Sequence, residues 1–245
     1  MGSKRTQRFY DNWAKQEVSA NYEKRQMTLF WKAEVFAELI PRRYQFASLL
    51  EVGCAEGILT AELSKTLKVG LAVGIDISGN FLHLGKEKYE TVQFLQNDGS
   101  LPFKDKSFDL TICSDFLEHV PEVSKYLLEI RRVSKYVLFK IPVELCLIGN
   151  LFRGIGFYPK IGQHHPAGHL HLFDRGDALK LIKLGGFSVV NFSFEITPLA
   201  ILYGDVPWVL IFLNPFTYLG VFVRTVLPKF YLPLLGGNLF AFCKA

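Results

Sequence analysis

The chain has 245 residues, with 28 Lys and Arg against 23 Asp and Glu, which gives a formal net charge of +5 at pH 7. This length fits a single domain, and 49% hydrophobic against 21% charged residues excludes a disordered chain. The net charge is modest, and no run of Lys and Arg is long enough to follow a phosphate backbone. We therefore expect no nucleic-acid partner.

The four cysteines lie far apart and form no C-x-x-C motif. This pattern is typical of a reducing compartment and argues against a disulfide framework. The first residues are polar and lack the apolar run of a secretory signal. We expect a cytoplasmic protein, and an apolar segment described below leaves peripheral membrane association open.

From residue 47, short apolar runs alternate with helical stretches, which is typical of an α/β fold with a doubly wound, mostly parallel sheet. The predicted strands are 48–53, 71–76, 92–97, 108–114, 136–142, 187–195 and 238–244. The predicted helices are 59–67, 81–89, 121–132 and one that Asp174 caps and Gly185-Gly186 ends. On helix 121–132 the inward side chains are predicted to be Val123, Leu127, Leu128 and Ile130.

We interpret the whole chain, 1–245, as one domain in four parts. These are an N-terminal helical cover 1–45, a core 46–195, an apolar insertion 196–237 and a last strand 238–245. Residues 206–223 carry no charge, but Pro207 and Pro215 disfavour an unbroken membrane-spanning helix. Aromatic side chains and two cations favour membrane-surface contact through 199–235. A dimer interface and a lid over a hydrophobic substrate remain open alternatives.

One motif stands directly between a predicted strand and a helix: Glu51-Val-Gly53-Cys-Ala-Glu-Gly57. Asp76 ends the next strand, 19 residues after Gly57, and Asp98 ends the third. Carboxylates at successive strand ends line one crevice, where the first can accept the ribose hydroxyls of a nucleoside. The motif and its spacing therefore predict a nucleoside site.

Two residues distinguish between nucleosides. Ala55 stands where the dinucleotide fingerprint needs a glycine for close approach of the pyrophosphate. Glu51 would repel a pyrophosphate and favour a ligand that carries ammonium and sulfonium charges. The residues therefore favour S-adenosylmethionine as the cofactor over NAD.

At this point the chain resembles a known family. LLEVGCAEG, VGIDIS, NDGSLPF, FDLTICSDFLEHV and GHLHLF followed by GGF are similar to the class I S-adenosylmethionine-dependent methyltransferases, in particular the type 11 domain group. The resemblance implies a seven-stranded sheet with an antiparallel last strand. It places the methionine part at Glu51, Gly53, Ala55 and Gly57, the ribose at Asp76 with Ile77 beside it, the adenine at Asp98 and Gly99, and the amino-acid end at Ser114.

Histidines are the candidate bases for an acceptor that must lose a proton, and we select His169, then His165, then His119. Asp115-Phe-Leu-Glu118-His119 resembles the metal-binding E-x-x-E-H of quinone-biosynthesis O-methyltransferases, but L-E-H-V also opens a helix in relatives without metal. Alternate histidines in 164–171 point to opposite faces if this run is a strand. We assign no metal ligand.

The sequence thus predicts a methyltransferase that acts on a hydrophobic or lipid-like small-molecule acceptor, by O- or C-methylation. Tyr10 and Trp13 could close over the donor as a lid, or pack on the sheet edge. The alternatives are a metal-assisted O-methyltransferase of a quinone-like catechol and a non-catalytic, membrane-associated nucleoside-binding scaffold. The oligomeric state is left open.

Overall fold

The computed structural model describes residues 2–20, 22–97, 100–147, 150–151, 168–198, 226 and 236–245. The helices are α1 Gly2–Ala20, α2 Tyr22–Leu39, α3 Ile58–Thr66, α4 Gly79–Lys88, α5 Val123–Val133 and α6 Arg175–Leu184. The strands are β1 Ser48–Val52, β2 Leu71–Asp76, β3 Val92–Gln96, β4 Phe108–Ser114, β5 Ser134–Val143, β6 Ser188–Glu195 and β7 Gly237–Lys244. Leu117–His119 form a short 3-10 turn after β4.

The strands of the described residues form one seven-stranded sheet in the order β3-β2-β1-β4-β5-β7-β6. The strands β1 to β5 pair in parallel, and β7 pairs antiparallel with both β5 and β6. This confirms the doubly wound sheet and its antiparallel last strand. The strand order reverses at β1, whose neighbours are β2 and β4, and ligands bind at the carboxyl ends of strands at such a point.

Two apolar layers hold the helices against the sheet. Phe36 of α2 and Leu63 of α3 pack on one face with Leu110 and Phe240. On the other face Ile130 of α5 and Ile182 of α6 pack with side chains of β5 and β7. Burial of both faces explains the nearly continuous apolar runs of the central strands. All four cysteines are buried, and none forms a disulfide with another.

Local signals set the helix limits. The Asp174 carboxylate accepts from the N–H of Asp177 at 2.7 Å, which confirms the predicted cap of α6. The predicted inward face of α5 is only partly correct. Leu127, Ile130 and Val133 are buried, whereas Leu128 is 62% exposed. The apolar stripe follows positions three residues apart, and Leu128 lies beside it rather than within it.

Among the described helices, none combines the length and the apolar character that a bilayer crossing needs. The predicted membrane-surface segment 199–235 lies outside the described residues except for Val226.

Helix α4 approaches the turn after β1 closely because Gly85 carries no side chain. A Cβ at this position would lie 2.7 Å from the carbonyl oxygen of Glu56 and 2.7 Å from the ring of Phe94. We predict that Gly85→Ala lowers the free energy of unfolding by about 1–3 kcal/mol, although alanine favours helix formation. Urea unfolding measures the change.

Gly79→Ala in the same helix is the matched control. The nearest atoms to its Cβ belong to the flexible Gln96 side chain at 3.4 Å, so its stability should stay within about 0.5 kcal/mol of the parent. Equal stability of the two variants and the parent would contradict the close approach at Gly85.

Candidate functional site

A cavity of about 770 Å³ opens at the carboxyl ends of β1, β2 and β4. The turn after β1 and the ends of β2 and β4 form its base, and side chains of α1 and α2 line it as well. This is the edge at which the sheet order reverses. The predicted donor residues that line the cavity are Glu51, Gly53, Ala55, Asp76, Ile77 and Ser114.

The turn after β1 has an unusual backbone. Gly53, Ala55 and Gly57 all have positive φ, at 76°, 48° and 78°. The N–H groups of Gly53 and Cys54 both donate to the carbonyl oxygen of Ile75, at 2.8 and 3.0 Å. Gly57 packs behind the turn, where a Cβ would meet the ring of Phe94 at 2.6 Å. The two predicted glycines thus serve turn geometry and close packing.

Asp76 connects two segments of backbone at the end of β2. Its Oδ2 accepts from the N–H of Ala55 and its Oδ1 from the N–H of Ser78, each at 2.8 Å. Burial raises the pKa of this carboxyl, although the bonded amides act in the other direction. Each oxygen has a second lone pair, which leaves capacity to accept a ligand hydroxyl.

Glu51 lies in β1 and is 3% exposed. The Thr60 hydroxyl donates to its carboxylate. Burial raises the pKa of Glu51 to about 8, because the charged form is costly away from water. Without a cationic ligand this carboxyl is therefore mostly protonated at neutral pH, and a bound cation would favour its ionised form.

Asp115 directly follows β4 and is held by two buried ammonium groups. Lys32 of α2 contacts its Oδ2 at 2.5 Å, and Lys140 of β5 contacts its Oδ1. Burial alone would raise the pKa of Asp115, but Lys140 and Lys32 together hold it well below its ordinary value. Asp115 is therefore an ionised partner of two lysines. The Ser114 hydroxyl also donates to it, at 3.3 Å.

At the other end of the cavity, residues 168–171 bond to the 3-10 turn. The N–H groups of Leu170 and His171 donate to the carbonyl oxygen of Glu118, at 2.7 and 3.2 Å. This brings the rings of His119 and His169 together, with centroids 4.9 Å apart. Both histidines line the cavity. The geometry thus groups two of the three predicted catalytic histidines.

Helix α1 covers the donor side of the cavity through contacts with α4. The Ser78 hydroxyl donates to the Asp11 carboxylate at 2.6 Å, and Asn80 donates to the Asp11 carbonyl at 3.0 Å. Tyr10 and Trp13, one turn apart, line the cavity. They lie where the lid hypothesis requires them, and opening of α1 stays a prediction.

Some predicted residues lie outside the described part of the chain: Asp98, Gly99 and His165. Other residues at the site were missed by sequence reasoning, namely Lys32, Lys140, Glu144 and the Arg25–Glu56 pair. Only Lys140 had a usable signal, because it is a lone charge inside the apolar strand YVLFKIP.

The segment that carries these features also matches a known family. Residues 50–136 match the sequence model of a methyltransferase domain family. This segment runs from β1 into β5 and contains the turn after β1, Asp76 and Asp115 to His119.

One curated relative of this chain is a demethylmenaquinone methyltransferase from Staphylococcus aureus strain MRSA252. It is 37% identical over 110 residues, which cover 43% of this chain and 45% of that protein. The match thus spans less than half the length of this relative.

Solved structures share the fold across more of the chain. Magnesium protoporphyrin IX methyltransferase from Synechocystis PCC 6803, solved with bound SAH, has a TM-score of 0.58 and 14% identity, over 92% of this chain and 85% of that chain. A chain of the complex that contains the Haloferax volcanii Trm112 methyltransferase activator has a TM-score of 0.64 and 16% identity. The match covers 96% of this chain and 95% of that chain. At such identities the likeness shows the fold alone, a mostly parallel seven-stranded sheet flanked by helices.

The raised pKa of Glu51 has a consequence for stability. Its carboxyl takes up a proton on folding between the ordinary value of 4.5 and about 8. The stabilisation is complete below pH 4.5 and is lost as pH rises through this window, with a total of up to about 5 kcal/mol. We predict that Glu51→Gln, which keeps an acceptor for Thr60, removes this part of the pH dependence. Urea unfolding at pH 5 and pH 8.5 measures the change in the free energy of unfolding between the two pH values. The same change in Glu51→Gln as in the parent would contradict the burial argument.

Proposed function

We propose that the chain is an S-adenosylmethionine-dependent methyltransferase that acts on a hydrophobic small-molecule acceptor, with transfer to oxygen or carbon. The observation that carries the proposal is the joint placement of Glu51 and Asp76 in one cavity, within the segment that matches the methyltransferase domain. The SAH bound to a protein of the same fold supports this donor class.

The donor fits the charges of this cavity. The remaining lone pairs of Asp76 are available to the ribose hydroxyls. An ammonium or sulfonium near Glu51 would favour the carboxylate form of this residue and gain its attraction. Gly53, Ala55, Gly57 and Ser114 are proposed to shape the methionine end, with Ile77, Asp98 and Gly99 around the nucleoside.

The reaction needs little covalent work from the protein. When bound, S-adenosylmethionine would supply a methyl group on a positively charged sulfur; transfer of this group to the acceptor atom would break the carbon–sulfur bond and leave S-adenosylhomocysteine as a neutral thioether. Holding donor and acceptor in line can supply about 7–11 kcal/mol of the barrier in favourable cases. The enclosure of the cavity by α1 and α2 would contribute by limiting the access of water.

His119 and His169 are the proposed catalytic residues, because a hydroxyl acceptor must lose its proton. Burial and the neighbouring His169 lower the pKa of His119 to about 4, so this ring is neutral at pH 7. The Glu144 carboxylate contacts Nδ1 of His169 at 2.7 Å and fixes this ring. Assistance of proton removal is worth roughly 10²–10⁴-fold. His165 stays a third candidate from the sequence.

A lipophilic acceptor suits the remaining walls. Tyr10, Trp13, Phe116, Tyr126 and Leu170 line the cavity beside the polar groups named above. The name of the Staphylococcus aureus relative gives demethylmenaquinone as its acceptor, which supports a flat, apolar acceptor here. A membrane would be the source of such a molecule.

The apolar segment is attached where it could deliver this acceptor. Strand β6 runs parallel to β5, because both pair antiparallel with β7. Its carboxyl end therefore lies at the same edge of the sheet as the ends of β1 and β4. Segment 199–235 follows that end, and we propose that it brings the acceptor from a membrane surface.

The donor site can be tested by calorimetric titration with S-adenosylhomocysteine. We predict that Asp76→Ala lowers the affinity at least 100-fold, because it removes the acceptor for the ribose and loosens the turn after β1. The lost amide contacts should also cost about 1–3 kcal/mol of stability. The control is Asp105→Ala, whose side chain is 77% exposed and pairs with Arg132 on the surface. Unchanged affinity in Asp76→Ala would place the ribose elsewhere.

The acceptor class can be tested with isotopically labelled S-adenosylmethionine and two pools, extracted membrane lipids and soluble metabolites. We expect label in the lipid pool only, because the walls and the apolar segment favour a lipophilic acceptor. Label in the soluble pool alone would reject this class. Donor binding without transfer to either pool would favour the non-catalytic scaffold.

A further inference from the structure

Glu118 is a buried carboxyl group that has no hydrogen-bond partner among the described residues. The residue is fully buried, and both carboxyl oxygens lack a donor. Such a group is costly, because a buried polar atom without a partner loses its hydration and gains nothing in return. Its backbone is nevertheless firmly held by residues 170–171, so the side chain is built into this position.

Two imidazole rings approach this carboxyl. Glu118, His119 and His169 each offer one atom that can ligate a metal, and these atoms lie within 4.8 Å of one another. Nδ1 of His119 faces the carbonyl oxygen of Gly168 at 3.4 Å, and Nδ1 of His169 faces the carboxylate of Glu144 at 2.7 Å. A proton on Nδ1 would satisfy both acceptors and leave the lone pair of each ring on Nε2.

We propose that Glu118, His119 and His169 form a binding site for a divalent first-row transition-metal cation. A metal-bound histidine commonly donates its other ring N–H to a carboxylate or a backbone carbonyl, and both rings have such an acceptor here. Two imidazoles and one carboxylate suit Zn²⁺ or Fe²⁺ better than Mg²⁺, which prefers oxygen ligands. A cation would also supply the missing partner of the buried Glu118 carboxylate.

The ligand set differs from the one that the sequence motif suggests. Asp115 is not available, because both of its oxygens are paired with lysine ammonium groups. His169 takes the third place, from a segment 50 residues further along the chain. No spacing rule connects it with Glu118.

The role of the cation rests on the proposed function, whereas its binding does not. Next to the acceptor, a cation would stabilise the oxyanion that forms when a hydroxyl loses its proton. The two histidines would then promote the reaction as ligands.

Cobalt binding tests the proposal on the full chain without donor or acceptor. Chelator-treated protein is titrated with Co²⁺, whose visible absorption reports its ligands, and bound Co²⁺ is then displaced with Zn²⁺. We expect one Co²⁺ per chain and at least tenfold weaker binding in His119→Asn, His169→Asn and Glu118→Gln. Glu144→Gln, which replaces the carboxylate that contacts Nδ1 of His169, should weaken binding by about 10–100-fold.

His83→Asn is the matched control, because His83 is an exposed histidine that pairs with Glu87 on α4. It should bind Co²⁺ like the parent. The proposal would be overturned if the parent showed no saturable Co²⁺ binding. It would also be overturned if His83→Asn lost as much binding as the ligand variants. Circular dichroism and S-adenosylhomocysteine titration of each variant show whether the fold and the donor site persist, so that a failure of the metal site is distinguishable from a failure of the proposed function.

Discussion

The proposed donor end of the cavity depends on one carboxylate, which accepts hydrogen bonds from two backbone N–H groups. Asp76 holds the turn after β1 through Ala55 and its own following segment through Ser78. The turn has three residues with positive φ in five positions, a conformation that the chain does not favour by itself. The hydrogen bonds to Asp76 and to the carbonyl of Ile75 stabilise it. Any ligand at this edge meets a surface that is already in place.

Three carboxyl groups near the cavity differ in their partners: Glu51 and Glu118 are buried, whereas Asp115 is partly buried. Asp115 has two ammonium partners and stays ionised. Glu51 and Glu118 form no ion pair among the described residues, and burial raises the pKa of both. A positively charged ligand beside such a carboxyl would favour its ionised form and supply the missing ionic partner. One lies at the donor end and the other at the acceptor end, which matches a cationic donor and the proposed metal.

Most of the fold could be predicted from the sequence, because strand and helix periodicity are local signals. Each of the seven predicted strands is present; the limits of β2 and β4 coincide with the prediction, and those of the others differ by one or two residues. The turn after β1 was also predictable, since Glu51, Gly53 and Gly57 lie within seven residues, whereas its binding of the donor stays a prediction. The ion pairs of Asp115 were not, because Lys32 is 83 residues away and Lys140 is 25 away. The Glu144 contact to His169 likewise depends on how the segment after β5 returns to the sheet.

The antiparallel pairing of β6 with β7 affects how the segment that joins these strands can vary. Glu195 at the end of β6 pairs with Asn238 near the start of β7, so residues 196–236 leave and rejoin the sheet at adjacent points. In topology this long segment is the loop of a hairpin. The entropy of closing such a loop grows only as the logarithm of its length, so a doubling costs about 0.6 kcal/mol. If this connection contacts the acceptor as proposed, substrate preference could diverge by its exchange alone, while the proposed donor site and the strand pairing stay as they are.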